Sequence, residues 1–166
     1  MKGNSEEPAA WPPLNLPHVS LRIRREDGLV KVFDSLRGKY VNLTPEEYVR
    51  QHFVAYLGGE LHYPASLMAN EVSIRLNHTA KRCDTVVYDA SGRPFMIVEY
   101  KAPGVRITQS VFDQIVRYNM RLHARYLVVS NGFSHYCCVM DYTRDTYHFI
   151  PRIPDYADAN NPFSDN

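Results

Sequence analysis

Hydrophobic and polar residues alternate over two short stretches near the start of the chain, Ser20–Arg24 and Leu29–Phe33, with Glu26-Asp27-Gly28 between them. Asp-Gly is a favoured pair for tight β-turns, so this segment reads as a small leading hairpin. Thr44-Pro45-Glu46-Glu47 then supplies a capping hydroxyl, a proline at the first helical position and a glutamate three residues past the cap. The spacing predicts a helix from Pro45 to about Leu57, closed by Gly58 and Gly59 in the left-handed conformation. Residues 63–70 read as a short helical turn, and Glu71 stands just before an apolar-rich run, Val72–Leu76.

From Asp84 the pattern is that of strands. Asp84–Tyr88 and Phe95–Lys101 are rich in Val, Ile, Phe and Tyr and flank Ala90-Ser91-Gly92-Arg93, which predicts a hairpin. A two-residue turn at Ser91-Gly92 sets Tyr88 against Phe95, Val86 against Ile97 and Asp84 against Glu99. Thr108 caps a predicted helix to about Leu122, with Val111, Ile115, Tyr118 and Leu122 on one stripe. Tyr126–Ser130 is short and apolar enough to be a buried strand, so Phe95–Ser130 reads as strand, helix, strand with a right-handed parallel crossover. Asn131-Gly132 turns the chain into a closing antiparallel pair, His135–Tyr142 and Asp145–Ile150. The predicted class is α/β: a mixed central sheet flanked by helices, with an N-terminal β-hairpin and no internal repeat.

The 166 residues fit one domain. Pro8, Pro12, Pro13 and Pro17 make residues 1–17 an expected extended arm. Residues 18–150 are the folded unit, and the Pro, Asp and Asn of 151–166 suggest an irregular tail. Hydrophobic content of 45% and charged content of 22% exclude wholesale disorder, a collagenous repeat and a coiled coil. A formal charge of +1 leaves no global field to drive nucleic-acid binding, so any such contact must come from a local patch. Three cysteines without a CxxC pair give no disulfide framework and point to a reducing, cytoplasmic compartment. The N-terminus lacks an apolar signal region, and no apolar run approaches the roughly 18 residues of a membrane span, so a soluble, unexported protein is expected.

The chemistry concentrates where Phe-Met-Ile-Val gives way to Glu99-Tyr100-Lys101. Strand alternation sends Glu99 and Lys101 to one side and Val98 and Tyr100 to the other. In the hairpin register Asp84 joins Glu99, and two carboxylates about 5 Å apart repel unless a proton or cation lies between them. Oxygen ligands on a rigid strand suit Mg²⁺ or Mn²⁺, and a lysine two residues on could orient a water or stabilise charge developing on a phosphoryl group. Taken alone, Glu-x-Lys is far more often a surface carboxylate pair neutralised by its lysine, and its weight here comes from its place at the end of an apolar strand. There is no GxSxG or HExxH motif, and alternation sends Cys137 and Cys138 to opposite faces, which disfavours zinc and makes them small core residues. Arg22, Arg24, Arg25, Lys31, Arg37 and Lys39 make the leading hairpin basic, and Lys81, Arg82, Arg93 and Arg106 lie near the predicted site.

Asp84 followed by Glu99-Tyr100-Lys101 resembles the catalytic core of the PD-(D/E)xK nuclease superfamily, with Cys83 where its proline would stand. Lys81-Arg82-Cys83-Asp84, Ile97–Pro103, Gln114-Ile-Val-Arg-Tyr118 and Leu127–Gly132 together are similar to the N-terminal nuclease domain of type I restriction enzyme R subunits, over about residues 40–140. The resemblance implies a restriction-endonuclease-like core in which Asp84, Glu99 and the Tyr100 carbonyl ligate the metal and Lys101 positions the attacking water. It also implies that Glu71 acts as an additional acid on the metal or its water. Gln114 and Tyr118 match the QxxxY motif and would hold the active site and nucleic-acid phosphates. Apart from the resemblance, charge near the site makes Arg82 and Arg106 candidate phosphate contacts, although such surface charge is usually only a solvated face. On residue type alone, Glu71 also fits a solvated cap, and Tyr118 a core ring with a bonded hydroxyl. This sequence carries no GxxxxGK[ST] loop and leaves no room for helicase domains, so ATP-driven translocation is expected only from a partner.

The combined expectation is a Mg²⁺- or Mn²⁺-dependent endonuclease acting on phosphodiesters, with DNA the favoured polymer and a restriction or defence-system protein as a partner. The alternatives are a non-catalytic nucleic-acid-binding or partner-docking module on the same fold, and a phosphohydrolase acting on nucleotides. The sequence leaves oligomeric state, strandedness and specificity open.

Overall fold

In the computed structural model, which describes residues 11–160, Asp27 and Gly28 both take positive φ, 52° and 77°. That is the backbone of a tight hairpin turn whose twist matches its strands. It joins β1 (Ile23–Glu26) to β2 (Leu29–Asp34), with Ile23 opposite Val32. The expected hairpin gains a third antiparallel strand, β3 (Lys39–Asn42), paired with β2 from Lys31↔Asn42 to Asp34↔Lys39. Four residues with one central Val are too few to announce themselves as a strand.

Helix α1 (Pro45–Gly59) starts where the capping signal places it, with the Thr44 hydroxyl accepting from the Glu47 N–H at 3.1 Å. It runs through both glycines, contrary to the expected stop. Neither Gly58 nor Gly59 has positive φ; the left-handed residue is His62, at φ 62°. After a single 3-10 turn at Ala65–Leu67, the segment expected to stay helical to Asn70 becomes strand β4 (Met68–Leu76).

Strands β5 (Thr79–Tyr88) and β6 (Pro94–Tyr100) form the predicted hairpin, with Val86↔Ile97 and Thr85↔Val98 in the expected register. The turn is wider than two residues. Asp89 N–H donates to the Arg93 carbonyl at 2.8 Å, and the Asp89 carboxylate accepts from the Ser91 and Arg93 amides. A bulge at Val87/Tyr88 absorbs the difference, so Tyr88 pairs with Pro94 and not with Phe95.

Helix α2 (Gln109–Asn119), capped by Thr108, crosses to β7 (Tyr126–Ser130), which lies parallel to β6. Gly132, at φ 88°, makes the turn into β8 (His135–Asp141), and β9 (Thr146–Ile150) closes the sheet. The result is a six-stranded mixed sheet in the order β4-β5-β6-β7-β8-β9.

Alternation along the strands feeds two cores. Met96, Val98, Tyr100 and Val128 pack with Val49, Phe53 and Leu57 of α1. Ile97, Leu127 and Val129 pack on the other face with Phe112 and Val116 of α2. Cys137 joins the first core and Cys138 the second, as their alternation requires. The buried stripe of α2 is therefore Phe112, Val116 and Asn119, and Tyr118, placed by pattern on the apolar stripe, is 62% exposed.

Of the expected arm, residues 1–10 lie outside the described residues. Residues 11–17 have no helix or strand yet are tied down: Asn15 N–H donates to the Gly132 carbonyl at 2.9 Å, and the Tyr48 hydroxyl donates to the Pro12 carbonyl at 2.9 Å. Residues 161–166 of the expected tail also lie outside the described residues, but 151–160 are not irregular throughout. Helix α3 (Tyr156–Ala159) docks Ala159 into the α1-side core, and the Tyr63 hydroxyl donates to the Pro154 carbonyl at 2.7 Å. Among the described residues no helix is long and apolar enough to cross a membrane.

Candidate active site

The last residues of the apolar strand β6 border a cleft of about 410 Å³ that they share with one flank of α2. Asp84, Glu99, Tyr100 and Lys101 line it with Lys81, and Val111, Gln114, Ile115 and Tyr118 of α2 form the opposite wall. The Tyr100 ring lies on the far side of the sheet, its hydroxyl donating to Thr85 at 2.8 Å, so it is the main chain of Tyr100 that reaches the cleft. The Tyr100 N–H donates to Asp84 Oδ2 at 2.9 Å, which fixes that carboxylate against the backbone beside Glu99.

Alternation along β5 slips by one residue here, since Cys83 and Val86 both belong to the α2-side core. Opposite the slip, Glu71 has φ 56° and the β4–β5 pairing skips from Asn70↔Thr85 to Val72↔Cys83. The irregularity lets Lys81 and Asp84 reach the same cleft, which an even strand would send to opposite faces.

Glu99 is the least satisfied group in this site. Its Oε1 is buried without a hydrogen-bond partner, and the Lys81 ammonium stands 3.6 Å away, within reach of its charge but too far for a hydrogen bond. Burial, and then the Asp84 carboxylate, push the Glu99 carboxyl up to about 8, against the opposing pull of Lys81. An orphaned carboxylate oxygen beside a second carboxylate fits a divalent cation held by oxygen ligands.

Glu71 is used differently from the expectation. One oxygen accepts from Arg50 at 2.5 Å and the other from Arg82, and Glu71 is not among the residues bordering the cleft. Among the described residues no group of three or more His, Cys, Asp or Glu side chains is gathered for a metal. Arg50, which nothing in the sequence singled out, is buried at the centre of this arrangement. It donates to Glu47 at 2.9 Å, to Glu71 and to the Asp84 main-chain carbonyl at 2.7 Å. Arg37 extends the network from Glu47 to the buried Asp34, which also accepts from Asn70 at 2.9 Å. The backbone of Asp84 is thus clamped from α1 and its side chain from β6.

Burial alone would raise the Asp34 and Glu71 carboxyls. Hydrogen bonds from Asn70 and Arg37 to Asp34, and from Arg50 and Arg82 to Glu71, outweigh it and hold both below their ordinary values. Their folded-state pKa values are depressed, so their contribution to stability is fully present above the ordinary values of 3.8 and 4.5 and is lost as pH falls through the folded values. Urea unfolding as a function of pH is expected to show stability falling steeply below about pH 4, with Asp34→Asn flattening that fall. A fall no shallower in the variant would remove Asp34 from the account.

Residues 45–154 match the family model described as the type I restriction enzyme R protein N terminus. The chain belongs to this family. The match takes in α1 and the six-stranded sheet and leaves out the N-terminal three-stranded sheet. Among solved structures, the chain is similar to a fragment assigned as an HsdR subunit of a type I restriction enzyme from Vibrio vulnificus YJ016, at 19% identity and a TM-score of 0.45. The similarity covers 68% of this chain and 24% of that one, so the chain spans about a quarter of that fragment's length. No curated protein matches it.

Within the family segment, the fold brings together Asp84, Glu99, Lys101, Gln114 and Tyr118 and the main chain of Tyr100. It does not bring Glu71, Arg82 or Arg106 to that cleft. Arg82 pairs with Glu71 at the surface, and Arg106 is exposed in the loop before α2. Lys81, quoted in sequence only as part of a motif and a basic run, is brought in: its ammonium lies 3.6 Å from the centre of the Tyr118 ring as well as 3.6 Å from Glu99.

Proposed function

We propose that the chain is a metal-dependent nuclease domain of a restriction system, hydrolysing phosphodiester bonds in DNA. The observation that carries this reading is the buried, unpartnered Glu99 oxygen beside Asp84, with Lys101 on the same cleft. Asp84, Glu99 and the Tyr100 carbonyl are the groups that would hold Mg²⁺ or Mn²⁺. Such an ion would supply Lewis acidity and a bound water more acidic than bulk water. Arg50 and the Tyr100 amide keep Asp84 in place, Lys101 orients the water and offsets charge developing on the phosphoryl oxygens, and Gln114 holds the opposite wall. The expected compartment is the cytoplasm, with which the buried free thiols of Cys83, Cys137 and Cys138 agree. A larger restriction complex is the proposed source of a motor.

The rival, a nucleic-acid-binding module without turnover, draws support from Glu71, whose carboxylate is engaged by two arginines. The test is incubation of the protein and its Lys101→Ala variant with circular, linear and single-stranded DNA in Mg²⁺, Mn²⁺ or EDTA. Cutting should require metal and fall about a hundredfold or more in the variant, while Mn²⁺ binding by calorimetry is retained. Full activity in Lys101→Ala would sink its assigned role, and nucleic-acid binding in EDTA with no product in any metal would favour the rival.

A further inference from the structure

Beside the carboxylate cleft, and sharing Lys81, Gln114 and Tyr118 with it, runs a second depression of about 790 Å³. It lies between the start of β5 and the end of α2, and its charged lining residues are Lys81, Arg117 and Arg121, with no carboxylate among them. Arg24, Arg37, Arg50, Arg82 and Arg93 are held in ion pairs; among the described residues Arg117 and Arg121 are in none, as are Arg22, Arg25, Arg75 and Arg106, but these two line one groove with Lys81. Asp113, one turn before Arg117, is taken by Gln109 and Tyr147, so Arg117 acts on it through charge alone.

Gln114, Arg117, Tyr118 and Arg121 fall on one flank of α2 and its terminal turn. All four are exposed, and Tyr118 stands at the boundary of the two depressions. Like charges gathered along a groove repel one another, and an anion laid between them relieves that cost. From Gln114 to Arg121 the flank rises roughly 10 Å. A nucleic-acid strand carries a phosphate about every 3.4 Å of its axis, so the flank spans about three phosphates.

Resting on the nuclease reading above, we infer that this groove is the track for the strand to be cut. Arg117 and Arg121 neutralise its phosphates on one side of the scissile bond, Lys81 adds charge between the groove and Glu99, and the exposed Tyr118 ring, with Lys81 over one face, offers its other face to a base where the track enters the cleft. Arg82 and Arg106, the phosphate contacts expected from the sequence, do not line this groove; Arg117 and Arg121 do.

The experiment is fluorescence anisotropy with a labelled single-stranded oligonucleotide and its duplex, in EDTA, from 50 to 200 mM salt. The proteins compared are the full chain, Arg117→Gln/Arg121→Gln, Arg117→Lys/Arg121→Lys, and Arg22→Gln/Arg25→Gln on the N-terminal sheet. Losing two phosphate contacts should make the slope of log K against log salt shallower by about 1.4 for a single strand or about 1.8 for a duplex. The lysine pair should retain most of the slope, and the N-terminal pair should leave it unchanged. An unchanged slope in Arg117→Gln/Arg121→Gln, an equal loss in the N-terminal variant, or no binding at all would overturn the track. Cleavage in Mn²⁺ is scored separately. Cutting with an unchanged slope defeats the track and spares the nuclease, whereas a lost slope without cutting spares the track and defeats the nuclease.

Discussion

Arg50→Ala is expected to lower the unfolding free energy by roughly 3 kcal/mol, read from urea denaturation near pH 7. Breaking a buried ion pair by deleting one partner costs about 3–5 kcal/mol, mostly because the other charge is left uncompensated. The lower end applies because both carboxylates keep a second cation: Glu47 retains Arg37 and Glu71 retains Arg82. What has no replacement is the hydrogen bond to the Asp84 carbonyl. Arg50→Lys restores a charge but not the fork that reaches Glu47, Glu71 and Asp84 together, so it should recover only part of the stability. A loss below about 1 kcal/mol in the alanine variant would mean that the network is worth no more than a surface cluster.

Arg50 also marks the boundary of what the sequence makes legible. Thr44-Pro-Glu-Glu is a local signal, and the helix begins there because the capping bonds are made within four residues. Asp84, Glu99 and Lys101 are legible because charge interrupts an apolar strand and alternation limits where each can point. Arg50 has no such mark: two of its three partners lie 34 and 21 residues away, and a mid-helix arginine paired only with Glu47 one turn before it would read as a solvated side chain. The same long-range pairing removes Glu71 from the cleft.

Tyr118 shows a different limit. Two apolar stripes fit α2 at helical spacing, one through Val111 and Ile115 and the other through Phe112 and Val116, and only packing on β6 and β7 decides that the second faces the core. The register near Tyr88 failed because a single aspartate, Asp89, widens the turn with its own side chain. The family segment and the cleft were legible together because both depend on the same hairpin.

Glu99→Gln is expected to reduce metal-dependent cleavage on the order of a thousandfold while making the metal-free protein more stable near pH 8. Burial and the Asp84 charge raise the Glu99 carboxyl from its ordinary 4.5 to about 8, so in that interval the folded protein keeps a proton that the unfolded chain releases. Stability must then decline as pH climbs from about 4.5 toward 8, the unfolded state binding fewer protons than the folded one. Glutamine does not ionise, so the decline attributable to position 99 disappears, and melting curves in EDTA from pH 5 to 9 should diverge steadily in favour of the variant. Adding Mn²⁺ should recover the wild-type loss and leave Glu99→Gln largely unmoved, because an ion that binds only the folded state stabilises it by mass action. Parallel melting curves for the two proteins would mean that Asp84 and Glu99 do not strain one another, and the physical reason for a cation between them would be gone.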